Sequence, residues 1–191
     1  MRRAGASERD ALAATLAAAF ADDPVFSWLI PPGSRSRPDR QLALFTGLTE
    51  SYLAKGESYV TSDGAAVALW APPGRWATPP GDIVRNLVPM MSALRHRALH
   101  GLRSLGAVEA KHPKEPPHWY LGFLGTLPSR QGQGLGAALL REVLDRVEGP
   151  AYLESSNPRN LSLYRRHGFE VVEELRMPWG CPPVWRMWRP G

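Results

Sequence analysis

The sequence predicts an α/β (α+β) domain, and three observations carry that reading. Strand-like and helix-like segments alternate along all 191 residues without an internal repeat. Two early apolar runs flank Asp63-Gly64, a dipeptide suited to a hairpin turn. Farther on, a strand feeds Gln131-Gly132-Gln133-Gly134-Leu135-Gly136 straight into an amphipathic helix. A chain of this length hides most of its unfolded surface, which is enough for a real core.

Ser7 is the expected N-cap of a first helix, with Asp10 three residues on as an acidic capping box. Leu12, Leu16 and Phe20 recur on one face of it. Asp22-Asp23-Pro24 forms a turn, and the run Val25 to Ile30 stops at Pro31-Pro32-Gly33. A second helix is predicted over Arg37 to Ala54, with Leu42, Phe45, Leu48 and Leu53 as its buried stripe. The hairpin comprises Tyr59 to Thr61 and Ala65 to Trp70, and Pro72-Pro73-Gly74 ends it. Asp82 to about Leu105 is helical in pattern, with Pro89 expected to interrupt or kink it. Lys111 to Pro117 is a proline-broken connection.

His118 to Leu127 is strand-like but contains Gly122 and Gly125. Glycine inside a strand points to a bulge or to close approach by another molecule. The helix after the glycine loop extends to about Glu148, turning Leu135, Leu139, Leu140, Val143, Leu144 and Val147 inward. Gly149-Pro150 stops it. Ala151 to Ser155 is a buried strand, and Asn157-Pro158 supplies the N-cap and N1 proline of a short helix ending at Gly168. Phe169 to Met177 and Val184 to Trp188 are the last two strands.

Composition narrows the function. Apolar residues at 43% and charged residues at 21% exclude wholesale disorder. Cys181 is the single cysteine, which excludes an intramolecular disulfide and a Cys-based metal cluster and suits a reducing cytoplasm. The net charge is +5, but the basic residues are scattered among 18 acids, and only Arg95, Arg97 and Arg103, with His96 and His100, are dense. Such a layout suits an anionic small molecule or cofactor better than nucleic acid. Arg2 and Arg3 before the apolar run Ala11 to Ala21 imitate a signal peptide, but Glu8 and Asp10 break its charge pattern. No apolar stretch approaches the ~20 residues that cross a bilayer, so a soluble, cytoplasmic protein without a membrane partner is expected.

A glycine loop between strand and helix lets the backbone come close to a ligand and turns several N–H groups toward one point. The helix N-terminus adds partial positive charge there, so the loop suits phosphate. No Gly-Lys-Ser/Thr follows, and no acidic residue ends a strand where a dinucleotide fingerprint needs one. Glycines that merely allow tight strand–helix packing are the alternative.

Gln131-x-x-Gly134-x-Gly136 after Leu127-Pro128 resembles the acetyl-CoA loop of the GNAT N-acetyltransferase family. A second signature, Asn157-Pro158-Arg159-Asn160-Leu161-Ser162-Leu163-Tyr164 followed by Gly168-Phe169, is similar as well and begins about 26 residues later. Within the family the chain resembles the puromycin N-acetyltransferase-like branch. Leu16 to Asp22, the hairpin Asp63 to Trp70, Pro113-Lys114-Glu115-Pro116, Leu153-Glu154-Ser155 and Pro158-Arg159-Asn160-Leu161 carry that likeness. The resemblance implies one N-acetyltransferase domain over residues 1–191, a substrate-shaping half of about 1–117 and an acetyl-CoA half of about 118–191. It implies a mixed central sheet of six to seven strands with a splayed pair, flanked by helices. It implies that backbone groups of Leu124, Gly125 and Thr126 pair with the pantetheine arm, and that N–H groups from Gln131 to Ala137 hold the pyrophosphate. Asn160 would reach the arm. Tyr164 matches the general acid that protonates the departing thiolate. Acetyl-CoA is the implied cosubstrate, with no metal, acting with a monomer or homodimer.

Acetyl transfer needs a neutral amine, a polarised thioester and a proton for sulfur. Glu154 is the candidate base, because a carboxylate inside Tyr152-Leu153-Glu154 needs a partner or a task; an ion pair with an arginine is the alternative. His118, at the head of its strand, could serve through water or simply be solvated. Tyr164 could instead pack with its hydroxyl on backbone. Trp28, Trp70 and Trp76 are candidates to line a pocket for a flat or cationic ligand, and Asp22 and Asp23 could pair with an amine or serve as turn residues. Cys181 has no expected role. The expected acceptor is the primary amine of a small molecule. Protein amines, or a basic nucleic-acid module acting through Arg95 to Arg103, are the rivals.

Overall fold

The computed structural model describes every residue except Thr78, and every side chain except those of Pro80, Asp82, Ile83 and Arg85. Among the described residues there are seven strands: β1 (Arg2–Arg3), β2 (Glu57–Val60), β3 (Ala66–Ala71), β4 (Trp119–Thr126), β5 (Ala151–Ser155), β6 (Glu170–Leu175) and β7 (Val184–Arg189). They form one sheet in the order β1-β2-β3-β4-β5-β7-β6. Among the described residues only β4 and β5 pair in parallel; every other ladder is antiparallel. The helices are α1 (Arg9–Ala19), α2 (Pro24–Leu29), α3 (Arg37–Leu53), α4 (Pro80–Leu94), α5 (Ala98–Lys111), α6 (Leu135–Leu144) and α7 (Leu161–Arg165). The expected mixed sheet flanked by helices is what forms.

Strand β3 is buried at every residue, so it reads as a continuous apolar run. Ala66, Ala68 and Trp70 join the core with Leu139, Leu140 and Val143 of α6 and Tyr164 of α7. Val67, Leu69 and Ala71 point the other way, onto Leu12 and Leu16 of α1 and Phe45 and Tyr52 of α3. Burying one such large side chain stabilises by about 1.5–3 kcal/mol. A smaller cluster of Leu29, Ile30, Leu94 and Ala98 joins α2, α4 and α5.

Several local expectations are corrected. The first helix is entered through a short 3-10 turn, Ala6–Glu8, and the Gly5 N–H donates to the Glu8 carboxylate at 2.9 Å; Ser7 and Asp10 do not make the cap. Val25 belongs to the short helix α2, which Asp23 caps by accepting from the Val25 and Phe26 N–H groups at 2.9 and 3.2 Å. In α3 the buried residues are Gln41, Phe45, Thr49 and Tyr52, whereas Leu42 is 39% exposed. Gln41 fits inside because a partner awaits it: its Nε2 donates to the Phe20 carbonyl at 2.9 Å. The long helical segment breaks at Arg95, with φ 53° and ψ −126°, while Pro89 stays inside α4. Packing decides that position, because Leu94 is buried against α2 and approaches Gly101, where a Cβ would lie 2.5 Å from Leu94 Cδ1. The dense basic stretch is partly used internally. Arg97 donates to the Trp28 carbonyl at 2.7 Å, and Arg103 lies over the Trp179 ring at 4.4 Å.

The β4–β5 ladder holds three pairs, Trp119↔Ala151, Tyr120↔Tyr152 and Leu121↔Leu153, and then stops. Beyond it β4 stays with β3 and β5 stays with β7, so the two strands part. The parting begins at a bulge. Leu69 opposes Phe123 and Trp70 opposes Leu121, which leaves Gly122 as the extra residue. A Cβ on Gly122 would lie 2.0 Å from the Tyr52 hydroxyl and 2.2 Å from its ring carbon Cζ. The close approach expected at this glycine is thus made by the chain's own Tyr52. Gly122→Ala is expected to lose about 1–3 kcal/mol of unfolding free energy in denaturant titration, the usual cost of overpacking a core. Adding Tyr52→Leu should recover part of that loss, since the obstructing ring is then gone.

Candidate active site

The bulge also reverses which backbone groups face which neighbour. The Trp119 N–H bonds toward β5, to the Pro150 carbonyl at 2.9 Å, and the Leu127 N–H bonds toward β3, to the Ala65 carbonyl at 2.9 Å. Residues 119 and 127 are an even number apart, and strict alternation would turn both amides the same way. One inserted residue flips the parity. The backbone groups of Leu124 and Thr126 therefore face the gap between the parted strands, and those of Gly125 face β3. Gly125 instead lies under α1, where a Cβ would be 2.8 Å from Ala19 Cβ.

A cavity of about 140 Å³ opens at this gap, lined among others by Phe20, Phe123, Leu124, Glu154, Asn160 and Tyr164. A larger surface depression of about 300 Å³, lined by Arg9, Glu50 and Asn86 among others, contains no part of the glycine loop or of the strand gap. Chemistry favours the smaller one.

After β4 a 3-10 turn, Pro128–Arg130, leads into the glycine loop. Gly132 and Gly134 have φ of 77° and 78°, and nothing lies within 4 Å of where their Cβ atoms would be. Backbone there is open to close approach. The first intrahelical bond of α6 runs from the Ala138 N–H to the Gly134 carbonyl at 3.0 Å, so the amides of Leu135, Gly136 and Ala137 precede the helical ladder. Arg130 ties the loop to the hairpin through Asp63 at 2.9 Å and to Gln133 at 3.0 Å. Gln131 Nε2 donates to the Thr126 carbonyl at 3.2 Å. An open cradle of amides at a helix start, beside strand backbone that faces the gap, fits the phosphates and amide arm of a CoA thioester.

Tyr164 is buried on α7, and its phenol is pushed up by burial and then by the charge of Asp23. Asp23 itself is buried and raised by burial, and it accepts from the Ser156 hydroxyl at 2.5 Å. One carboxylate thus caps α2 and fastens it to the segment after β5. Asn160 closes the turn Pro158–Asn160, which Asn157 opens by accepting from the Arg159 N–H at 3.1 Å.

Glu154 lies among three phenols. Tyr52, Tyr120 and Tyr152 are all raised, first by burial and next by the Glu154 charge. The alternative of an arginine partner is corrected. Arg186 stands opposite Glu154 in the ladder but donates to the Tyr152 hydroxyl at 3.0 Å and pairs with Glu173 at 2.5 Å. The basic group facing Glu154 is His112, 3.5 Å from Nδ1 to Oε1. His118 is also corrected: it is buried, not solvated, with Nε2 3.0 Å from His112 Nε2, and burial pushes it down.

The tryptophans stand elsewhere than expected. Trp70 is fully buried core, Trp76 stacks on His112 at 4.0 Å, and Trp28 packs edge-on to His100 at 5.7 Å. Phenylalanines shape the site instead, with Phe20 and Phe123 at 5.9 Å and Phe26 and Phe45 at 4.8 Å between ring centroids. His112 and this cluster were missed, because a lone histidine in a proline-broken connection carries no periodic signal.

The acetyltransferase (GNAT) family model matches residues 69–169. An uncharacterised N-acetyltransferase of Schizosaccharomyces pombe is 28% identical over 186 residues, covering 91% of this chain and 75% of its own. The N-alpha-acetyltransferase RimI of Mycobacterium tuberculosis is 36% identical over 103 residues, 49% of this chain and 62% of its own. Among solved structures, a Corynebacterium glutamicum protein described as histone acetyltransferase HPA2 and related acetyltransferase superposes with a TM-score of 0.69 at 27% identity, covering 99% and 94% of the two chains.

The open loop yields a direct test. CoA binding only the folded state must raise the melting temperature. Gly134→Val places a β-branched residue at φ 78° in the cradle, so the stabilisation by CoA in thermal-shift titration is expected to vanish while the unliganded fold persists.

Proposed function

This chain belongs to the acetyltransferase (GNAT) family, and on that premise we propose how its own residues serve the reaction and which amine they take. It is an acyl-CoA-dependent N-acetyltransferase, with acetyl-CoA as cosubstrate. That cosubstrate supplies an acetyl group on a sulfur that leaves well. The backbone of Leu124 and Thr126 pairs with the pantetheine arm in the manner of an added strand. The amides from Gln131 through Ala137 bind the pyrophosphate, and Asn160 reaches the arm from the turn ahead of α7. Gly125 serves by lacking a side chain, which lets β4 lie against α1.

An ammonium has no lone pair, so Glu154 takes the proton from the acceptor amine. The Leu124 N–H donates to the thioester oxygen as charge gathers on it. Tyr164 then gives its proton to the departing sulfur. Burial and the Asp23 charge keep that phenol protonated, so it releases the proton only as the sulfur becomes anionic. The observation that carries this reading is the convergence of Leu124, Glu154, Asn160 and Tyr164, from separate elements, on one cavity.

The acceptor in this reading is the primary amine of a small, partly aromatic molecule, with aminonucleosides such as puromycin first in line. The chain-long resemblance to the puromycin branch supports it, as does a cavity of about 140 Å³ walled partly by Phe20, Phe26 and Phe123. A second reading, acetylation of protein amines, is favoured by the identity to RimI.

Tyr164→Phe is expected to keep CoA binding and lower turnover by about 10²–10⁴ where chemistry limits; unchanged turnover would assign Tyr164 to packing. Glu154→Gln should cost most at low pH, where the amine is mostly protonated. Catalytic efficiency for puromycin, other amine antibiotics, polyamines, amino acids and peptides decides the substrate. Peptides acetylated best by a wide margin would overturn the small-amine reading and leave the transferase chemistry standing.

A further inference from the structure

A short chain of buried polar groups runs from the cavity into the protein. Glu154 Oε1 faces His112 Nδ1 at 3.5 Å, His112 Nε2 faces His118 Nε2 at 3.0 Å, and His118 Nδ1 faces the Pro116 carbonyl at 2.8 Å. The two imidazoles are only 6% and 2% exposed. Each of these gaps needs one hydrogen. The carbonyl at one end and the ionised carboxylate at the other can only accept. Two neutral imidazoles bring one hydrogen apiece, so two hydrogens must serve three gaps.

Their order is fixed from the carbonyl end. His118 Nδ1–H must donate to Pro116, which makes His118 Nε2 an acceptor, and His112 Nε2–H fills the middle gap. His112 Nδ1 is left with a lone pair aimed at Glu154, across the longest gap of the set. Glu154 Oε1 correspondingly has no hydrogen-bond partner among the described residues. One proton is missing, and its place lies between Glu154 and His112.

We propose that His112 is a positioning residue which, ordered by His118 and the Pro116 carbonyl, makes Glu154 a one-proton acceptor for the substrate ammonium. The inference rests on Glu154 being the base. The ammonium N–H bond breaks, the amine keeps the electron pair, and the proton comes to lie between the carboxylate and His112 Nδ1, closing the third gap. Aromatic rings surround the place where that charge is shared. Trp76 stacks on His112 at 4.0 Å, and Tyr120 and Tyr152 meet it edge-on, each at 4.8 Å. The groups facing His112 are Glu154 and Tyr152 from β5, Tyr120 from β4 and His118 at its head. Behind them, Lys55 at the end of α3 donates to the Trp76 carbonyl at 2.9 Å, and Arg186 of β7 donates to Tyr152 at 3.0 Å.

Nitrogen NMR of the histidine-labelled, wild-type protein reads the hydrogen order without any substrate. His118 should be the Nδ1–H tautomer and His112 the Nε2–H tautomer, with His112 Nδ1 bare of hydrogen in the unliganded protein. An Nε2–H tautomer at His118, or an Nδ1–H tautomer at His112, overturns the proposal. In kinetics with the amine turned over fastest in the panel above, His112→Phe should lose at least about tenfold more kcat/KM at pH 6.5 than at pH 9, with CoA stabilisation unchanged. Combined with Glu154→Gln it should cost less than about threefold more, because groups that act as a unit are not additive. A uniform loss at all pH values, or multiplicative losses, would make His112 a packing residue. If Glu154→Gln itself left the acid limb in place, the base assignment would fail, and the NMR tautomers would still decide the hydrogen order.

Discussion

Where the Tyr52 hydroxyl fills the space that a side chain at residue 122 would need, β4 takes in one extra residue, and the rest of the site depends on that insertion. Before it, alternate amides of β4 face β5 and make a parallel ladder. After it, the parity is reversed and β5 has gone with β7. The result is a strand edge inside the sheet, where Leu124 and Thr126 turn their backbone groups to the gap and the Thr126 carbonyl accepts from Gln131. Exposed edges usually invite unwanted pairing. Here the edge is short and lies in a cleft, which suits it to receive an extended ligand arm.

Two buried carboxylates flank the cavity and differ in what surrounds them. Asp23 is held by two backbone amides and the Ser156 hydroxyl, so its lone pairs are largely occupied and its charge acts at a distance, on Tyr164. Glu154 has phenols and an imidazole around it, but among the described residues none makes a hydrogen bond to Oε1. A buried acceptor left short of hydrogen is costly for stability. Under the proposed role of Glu154, that cost is met where a proton is received.

The glycine loop and the phenylalanine cluster show two ways of fixing a site. Ion pairing of Arg130 with Asp63 and the Gln131 bond to the Thr126 carbonyl fasten the loop to the hairpin turn and to β4. The partly exposed ion pair contributes little energy by itself, and its value is in position. On the other wall, Phe20 just after α1, Phe26 of α2, Phe45 of α3 and Phe123 of β4 meet through tilted and edge-on contacts. Packing of that kind makes the pocket's shape depend on several elements at once.

The sequence by itself determined the parts whose cause is local. Ala151 to Ser155 forms the strand its apolar run implied, Asn157-Pro158 opens a turn and Gly134 sits at a left-handed position, because period, capping and backbone freedom act within a few residues. Tyr164 and Glu154 stand out in the sequence, one through its motif and the other as a charge in an apolar strand, and both line the cavity. The tertiary structure alone decided what each of them faces. Gln41 and Thr49 are buried in α3 where Leu42 is not, since a neighbouring carbonyl or a close-packed wall selects the face. The helix break fell at Arg95 because Leu94 had to pack against α2. His112, 42 residues before Glu154 in the chain, became its neighbour only when the end of α5 folded over β4 and β5, and no local pattern encodes a contact made by three separate elements.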